Sequence, residues 1–187
     1  MGSDTQQVVG RSLSITMRET RLDLIEGELL EQEVEVLVNP ANEELRLDEG
    51  ISALLLAAGG PSIQEECERV GGAAVGTAVM TGAGELSVKH VIHAVGPHYG
   101  EAEADRKLSS AVRSSLALAE RHGMVSIALP TISAGDRGFP MDRTARITLT
   151  EIQRYIQGGT KLEQVVVVLP GDGVFDIFKR ELRRGFR

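Results

Sequence analysis

Apolar and polar positions along the chain fall into short β-like runs and longer helical ones. "SLSITMR" and "LDLIEGEL" read as strands. "VEVLVN", Val34 to Asn39, is rich in β-branched residues and reads as a buried strand. An apolar helix is predicted from Gly50 to Ala58, and "SIQE", Ser62 to Glu65, reads as a capping box opening a helix that stops at Gly71-Gly72. "TAVMTGAG" and "HVIHAVG" follow as strands. From Asp105 to His122 the pattern is helical, with Leu108, Val112, Leu116 and Ala119 on one face and Gly123 as the stop. "SIALP" is a strand, and Met141 to Ile156 a helix with Ala145, Leu149, Ile152 and Ile156 in phase. "VVVVLP" is a fully buried strand, and Phe175 to Arg184 a last helix. Strands alternating with helices predict an α/β fold, a three-layer α/β/α sandwich around a mixed, largely parallel sheet with an antiparallel contribution at an edge.

Composition narrows the class. The 187 residues, 42% hydrophobic and 25% charged, suit one globular domain, expected over 12–187 behind a flexible segment at 1–11. No apolar run approaches the roughly 18–20 residues that span a bilayer. The polar N-terminal stretch reads as no signal peptide, so a cytoplasmic location is the default expectation. One cysteine, Cys67, excludes an internal disulfide framework and reads as packed. His90 and His93 lie three apart on a strand and point to opposite faces, so no shared metal is expected there. The net charge of −7 argues against a sequence-independent grip on nucleic acid. The one contiguous basic run, "KRELRR" (Lys179 to Arg184), reads as a helix end whose cations complement the dipole.

Three strand exits carry the candidate chemistry, because ligands of such sheets bind beyond the carboxyl ends of the strands. They are "VNPAN", "PTISAGDRGFP" and "LPGDGVF". Asn39 and Asn42 flank Pro40; they supply donors and acceptors for hydroxyls, or simply form a turn. In the second exit Gly135 and Gly138 allow close backbone approach, and successive free N–H groups ahead of a helix make an anion site without a basic side chain. A plain strand-to-helix turn reads equally well there. No Walker lysine motif and no G-x-G-x-x-G opens a βα unit.

Together "NPAN", "VIHAVGP" and the "SAG..GFP" loop, in that order and within a likeness running from about Leu22 to Phe178, resemble a macrodomain, the ADP-ribose-binding module. The resemblance implies ADP-ribose, or an ADP-ribosyl group on a protein, as ligand, with no cofactor and no membrane. It places the adenine at Gly27-Glu28-Leu29, where Glu28 stands in for the family's aspartate and Leu29 offers its N–H. It assigns adenine stacking to Phe175, whose other reading is helix core beside Phe178. Asn42 matches the asparagine on the distal ribose, Asn39 a loop brace, and Ser133, Ala134, Gly135, Asp136, Arg137, Gly138 and Phe139 the diphosphate loop.

Departures bear on catalysis. Family hydrolases end their first loop in Gly-Val-Asp-Gly; here the sequence reads Asp48-Glu49-Gly50-Ile51-Ser52. Ser52 stands where the resemblance places a catalytic aspartate, and losing a positioned base costs roughly 10²–10⁴ in rate. Its other reading is a helix N-cap. Asp136 is a possible substitute base or a solvated loop acid, and Arg137 either covers the distal ribose, pairs with phosphate or faces solvent. Asp48 and Glu49 should weaken diphosphate binding unless they point outward. "QEE" at Gln64 to Glu66 lies inside a helix and is not a glycohydrolase signature. The expectation is a binding module, with an ADP-ribosyl hydrolase as the alternative and a decayed pocket as the third reading.

Overall fold

The computed structural model describes residues 10–171 and 173–185. Of the expected flexible segment, residues 1–9 lie outside the described residues. Arg11, at its end, pairs with Glu26 and Asp176 at 2.9 Å each.

The chain runs β1 (Ser12–Met17), β2 (Thr20–Glu26), β3 (Val36–Ala41), α1 (Gly50–Gly59), α2 (Ser62–Val70), β4 (Ala78–Gly82), β5 (His90–Val95), α3 (Ala104–Arg121), β6 (Ser126–Leu129), α4 (Met141–Gln157), β7 (Gln164–Leu169) and α5 (Val174–Gly185). The seven strands form one sheet in the order β1-β2-β7-β6-β3-β5-β4. The five inner strands are mutually parallel. The hairpin partners β1 and β4 run antiparallel, so both edges, and not one, are antiparallel.

Strand alternation divides the core. Val36 and Val38 of β3, Ile92 of β5 and Val165 and Val167 of β7 pack under α3, α4 and α5. Leu37, Val91, Val95, Val166 and Val168 face α1 and α2. Both faces are covered, which is why these strands read as continuous apolar runs. The helical phases hold: Leu108, Val112, Leu116 and Ala119 of α3 and Ala145, Leu149, Ile152 and Ile156 of α4 are all buried.

Two local expectations change. The capping box does not form: Pro61 is the N-cap, with φ −68° and ψ −21°, and Ser62 already lies inside α2. Helical backbone at Pro61 starts the helix one residue too early for Ser62 to cap it. The second strand ends at Glu26, and Leu29–Glu31 form a 3₁₀ turn instead of continuing it.

One irregularity positions the site. β3 pairs with β6 only at Val36 and Leu37, yet stays with β5 as far as Ala41. The sheet therefore opens between β3 and β6 beyond Leu37. The connections also diverge here: β3 leads by way of α1 and α2 toward one edge, β6 by way of α4 toward the other. This is a topological switch point, where parallel sheets hold ligands.

Candidate functional site

A cavity of about 480 Å³ occupies that opening. One wall is the first exit loop and the start of α1, with Asn42, Gly50, Ile51 and Ser52; the other is the second exit loop, with Ser133 to Arg137. A second cavity of about 660 Å³ lies beside Glu28 and Leu29 and shares Ile51 and Thr131 with the first. The two form one crevice along the carboxyl edge of the sheet.

The second loop is shaped by left-handed backbone at Ser133 (φ 63°), Gly135 (φ 77°) and Gly138 (φ 75°). Glycine takes such angles without strain; serine does not, and strained residues of this kind gather at functional sites. Within the loop, Gly138 N–H donates to Gly135 O and Phe139 N–H to Ser133 O. The N–H groups of Ala134, Gly135 and Asp136 have no described protein acceptor. Opposite them, the first-turn N–H groups of α1 are unpaired as in any helix start. Two sets of main-chain donors thus line one cavity. Ser133 Oγ is buried without a hydrogen-bond partner among the described residues.

Arg137 ties the cavity together. Its guanidinium donates to Gly96 O at 2.7 Å, to Glu43 Oε2 at 3.2 Å and to Ala41 O at 3.4 Å. It joins the exits of β3, β5 and β6, and its side chain is only 15% exposed. It is not solvent-facing, and three of its five N–H donors are already engaged. Asn42 braces the first loop, accepting from Arg46 N–H at 2.9 Å and donating to Arg46 O at 3.2 Å. Gln64 of α2 holds the same loop through Leu47 N–H and Leu45 O. Asp48 and Glu49 are exposed at the rim, Asp48 beside Arg46 at 3.5 Å, and the acidic segment leaves the crevice open. Asp136 is exposed on the opposite rim.

Behind α1 lies a buried polar chain. Ser52 Oγ donates to Asn39 Oδ1 at 2.9 Å. Asn39 Nδ2 donates to His93 Nδ1 at 3.1 Å, which leaves the proton of the neutral ring on Nε2. That nitrogen faces Thr81 Oγ1 at 2.9 Å and Cys67 Sγ at 3.6 Å. Thr81 in turn donates to Gly82 O. Burial pushes the His93 pKa down to about 4 and that of the Cys67 thiol up to about 11. Both groups are therefore neutral at pH 7. Ser52 is the third residue of α1, so it is not the N-cap; its proton is committed to Asn39.

Four expected site residues do not line either cavity: Asn39, Gly138, Phe139 and Phe175. Asn39 sits behind the wall as a brace. Phe139 is buried with its ring edge-on to Tyr99, centroids 5.4 Å apart. Phe175, expected either to stack on adenine or to sit in the helix core, is in the core position in this structure. It lies in the first turn of α5, in phase with Phe178 and Leu182, is 3% exposed, and has the Arg11 guanidinium over its ring at 4.8 Å. Sequence reasoning missed Gly96, His98 and Glu43, of which Gly96 and His98 belong to the segment after "VIHAV" and all three line the first cavity. Among the described residues no cluster of three or more His, Cys, Asp or Glu is placed to hold a metal ion.

The sequence profile of the Macro domain family matches residues 38–148, which include both walls of the first cavity. The chain belongs to the Macro domain family. A curated macrodomain relative, O-acetyl-ADP-ribose deacetylase 1 of Pantoea vagans, is 36% identical over 168 residues, covering 87% of this chain and 98% of that protein. The Oceanobacillus iheyensis macrodomain solved with ADP superposes with a TM-score of 0.90 at 24% identity, over 95% of this chain and 97% of that one, and bears on the fold. The Trypanosoma brucei macrodomain in complex with ADP-ribose gives a TM-score of 0.79 at 26% identity, over 85% of this chain and 68% of that one. The seven-stranded mixed sheet between two helical layers is the three-layer α/β/α macrodomain fold.

Proposed function

We propose that the crevice binds ADP-ribose, or an ADP-ribosyl group carried by a protein, and holds its diphosphate with main-chain amides. The observation that carries this reading is the pair of donor sets, Ala134 to Asp136 and the start of α1, facing one cavity whose two arginines, Arg46 and Arg137, are each paired with an acid. Hydrogen bonds to charged acceptors are about twice as strong as neutral ones, so amides suffice for a pyrophosphate. The connected cavity at Glu28 and Leu29 has room for the base, with the Glu28 carboxylate and the unpaired Leu29 N–H as its polar groups. Asn42 and Ser52 stand at the distal end. Calorimetry tests this: ADP-ribose should bind at least tenfold tighter than AMP, a difference of about 1.4 kcal/mol. Equal affinity would refute it.

A second reading, hydrolysis of an ADP-ribosyl ester, is favoured by the name of the Pantoea vagans relative. Against it, Ser52 is a neutral hydroxyl held by Asn39, far less basic than the carboxylate such a reaction uses to deprotonate water. Turnover of O-acetyl-ADP-ribose, abolished in Asp136→Ala but kept in Ser52→Ala, would establish the enzyme reading with Asp136 as base. Absence of turnover at saturating substrate leaves the binding module.

A further inference from the structure

Charge is unevenly divided between helices α3, α4 and α5 and the rest of the chain. Helices α3, α4 and α5 carry eleven Lys and Arg against six Asp and Glu, a net +5, in a chain whose total is −7. The remainder therefore holds −12. α4 packs between α3 and α5, so these three helices form one outer layer. α3 and α4 run in the same direction, since Asp105 meets Arg143 near both N-termini and Glu120 meets Tyr155 near both C-termini.

A groove of about 590 Å³ lies between α3 and α4. Arg106 and Arg113 stand on one wall, Arg146 and Arg154 on the other, and all four are exposed. Spacings of seven and eight residues put each pair on one helix face, roughly 10–12 Å apart. Of the four, Arg106 pairs with Glu103 at 2.6 Å and Arg113 with Glu151 at 3.2 Å, both on the exposed side where a phosphate can compete; the remaining acid of the groove, Asp105, is held by Arg143 at 2.8 Å. Arg146 and Arg154 have no acidic partner among the described residues. A second crevice, on α5, adds Lys179, Arg180, Arg183 and Arg184.

Guanidinium groups match phosphate oxygens in two-point contacts. Among the described residues no aromatic side chain lines the groove or the crevice, so none of them would stack on unpaired bases. We propose that the α3–α5 face docks on the phosphate backbone of double-stranded nucleic acid, without reading its sequence. The contrast with the −12 of the remaining chain gives the molecule a charge asymmetry that orients it on approach. In the linear sequence only "KRELRR" is contiguous; helical turns assemble the other cations.

The test is fluorescence anisotropy of a labelled DNA duplex of about twenty base pairs, titrated with the full chain across a salt series. The plot of log affinity against log salt should have a slope near −4, for about four neutralised phosphates. The double variant Arg146→Glu/Arg154→Glu should weaken binding at least about tenfold at low salt and flatten the slope by about two. Its circular dichroism and its affinity for ADP-ribose should stay unchanged, and saturating ADP-ribose should not displace the duplex. Absence of an anisotropy rise at low salt overturns the proposal, as does a variant that binds like the wild type. Displacement by ADP-ribose would place the nucleic acid in the crevice instead. Equal competition by polyglutamate would mean an acidic protein partner. A mass difference between variant and wild type by light scattering, without DNA, would mean that a second copy covers this face. Each of these three results also overturns it.

Discussion

Replacing Gly96 by alanine isolates how the second loop is held. A methyl group at that position would lie 2.1 Å from Ser133 Oγ and 2.7 Å from Ile132 Cγ2. Carbon atoms rest about 3.5–4.0 Å apart, so the loop must retreat by roughly 1 Å. Turning the Ser133 hydroxyl relieves the first clash and leaves the second. Gly96 is not among the left-handed residues, so the added methyl costs packing and not backbone strain. Overpacking of this size costs about 1–3 kcal/mol, and for a chain of this length each kcal/mol lowers Tm by about 2–4 °C. The same retreat carries the Ala134–Asp136 amides away from the diphosphate. Losing one hydrogen bond to a charged group costs about 1.5–3 kcal/mol, roughly a 10- to 150-fold rise in Kd. Differential scanning calorimetry and titration with ADP-ribose measure both. An unchanged Tm would refute the close packing. A lowered Tm with unchanged Kd would refute the dependence of binding on loop position.

Arg137→Ala should raise the Kd for ADP-ribose about tenfold by cutting the charge-assisted bonds to Gly96 O and Glu43, and Arg137→Lys should restore only part of it, because a compact ammonium cannot span three acceptors; full recovery in the lysine variant would count against the geometry. Asn39→Ala strands the buried His93 Nδ1 and should cost about 1–3 kcal/mol in chemical denaturation, the freed Ser52 hydroxyl turning to Pro40 O at 3.3 Å. For His93, a folded pKa of about 4 below an ordinary value of 6.5 means that the unfolded chain takes the proton first. Stability should then be full above pH 6.5 and fall by about 1.4 kcal/mol per unit as pH drops toward 4. Urea midpoints across that window should show this slope, and His93→Gln should flatten it; parallel curves would assign the acid sensitivity elsewhere.

The layers were legible because both faces of the sheet are covered, so β3, β5 and β7 read as apolar runs and α3 and α4 as clean amphipathic phases. The loops were legible through glycines whose left-handed angles the structure bears out at 135 and 138. What escaped depends on distance across the fold. Phe175 reads as a surface aromatic after a loop, and only the phase of α5 against β2 and α4 buries it. Arg137 reads as a loop cation because its three acceptors come from segments about forty and ninety residues away. Ser52 reads as a cap because the helix start cannot be placed to one residue from pattern alone.

The donors of Ala134, Gly135 and Asp136 belong to the backbone, and every residue except proline carries one. Exchanging Asp136 for alanine would leave its hydrogen where it is, and Ala134 has nothing to remove; a conventional alanine scan would notice the grip only at Gly135, whose left-handed backbone resists a side chain. What the pocket asks of these positions is therefore a backbone path, and the glycine that permits it, more than any functional group.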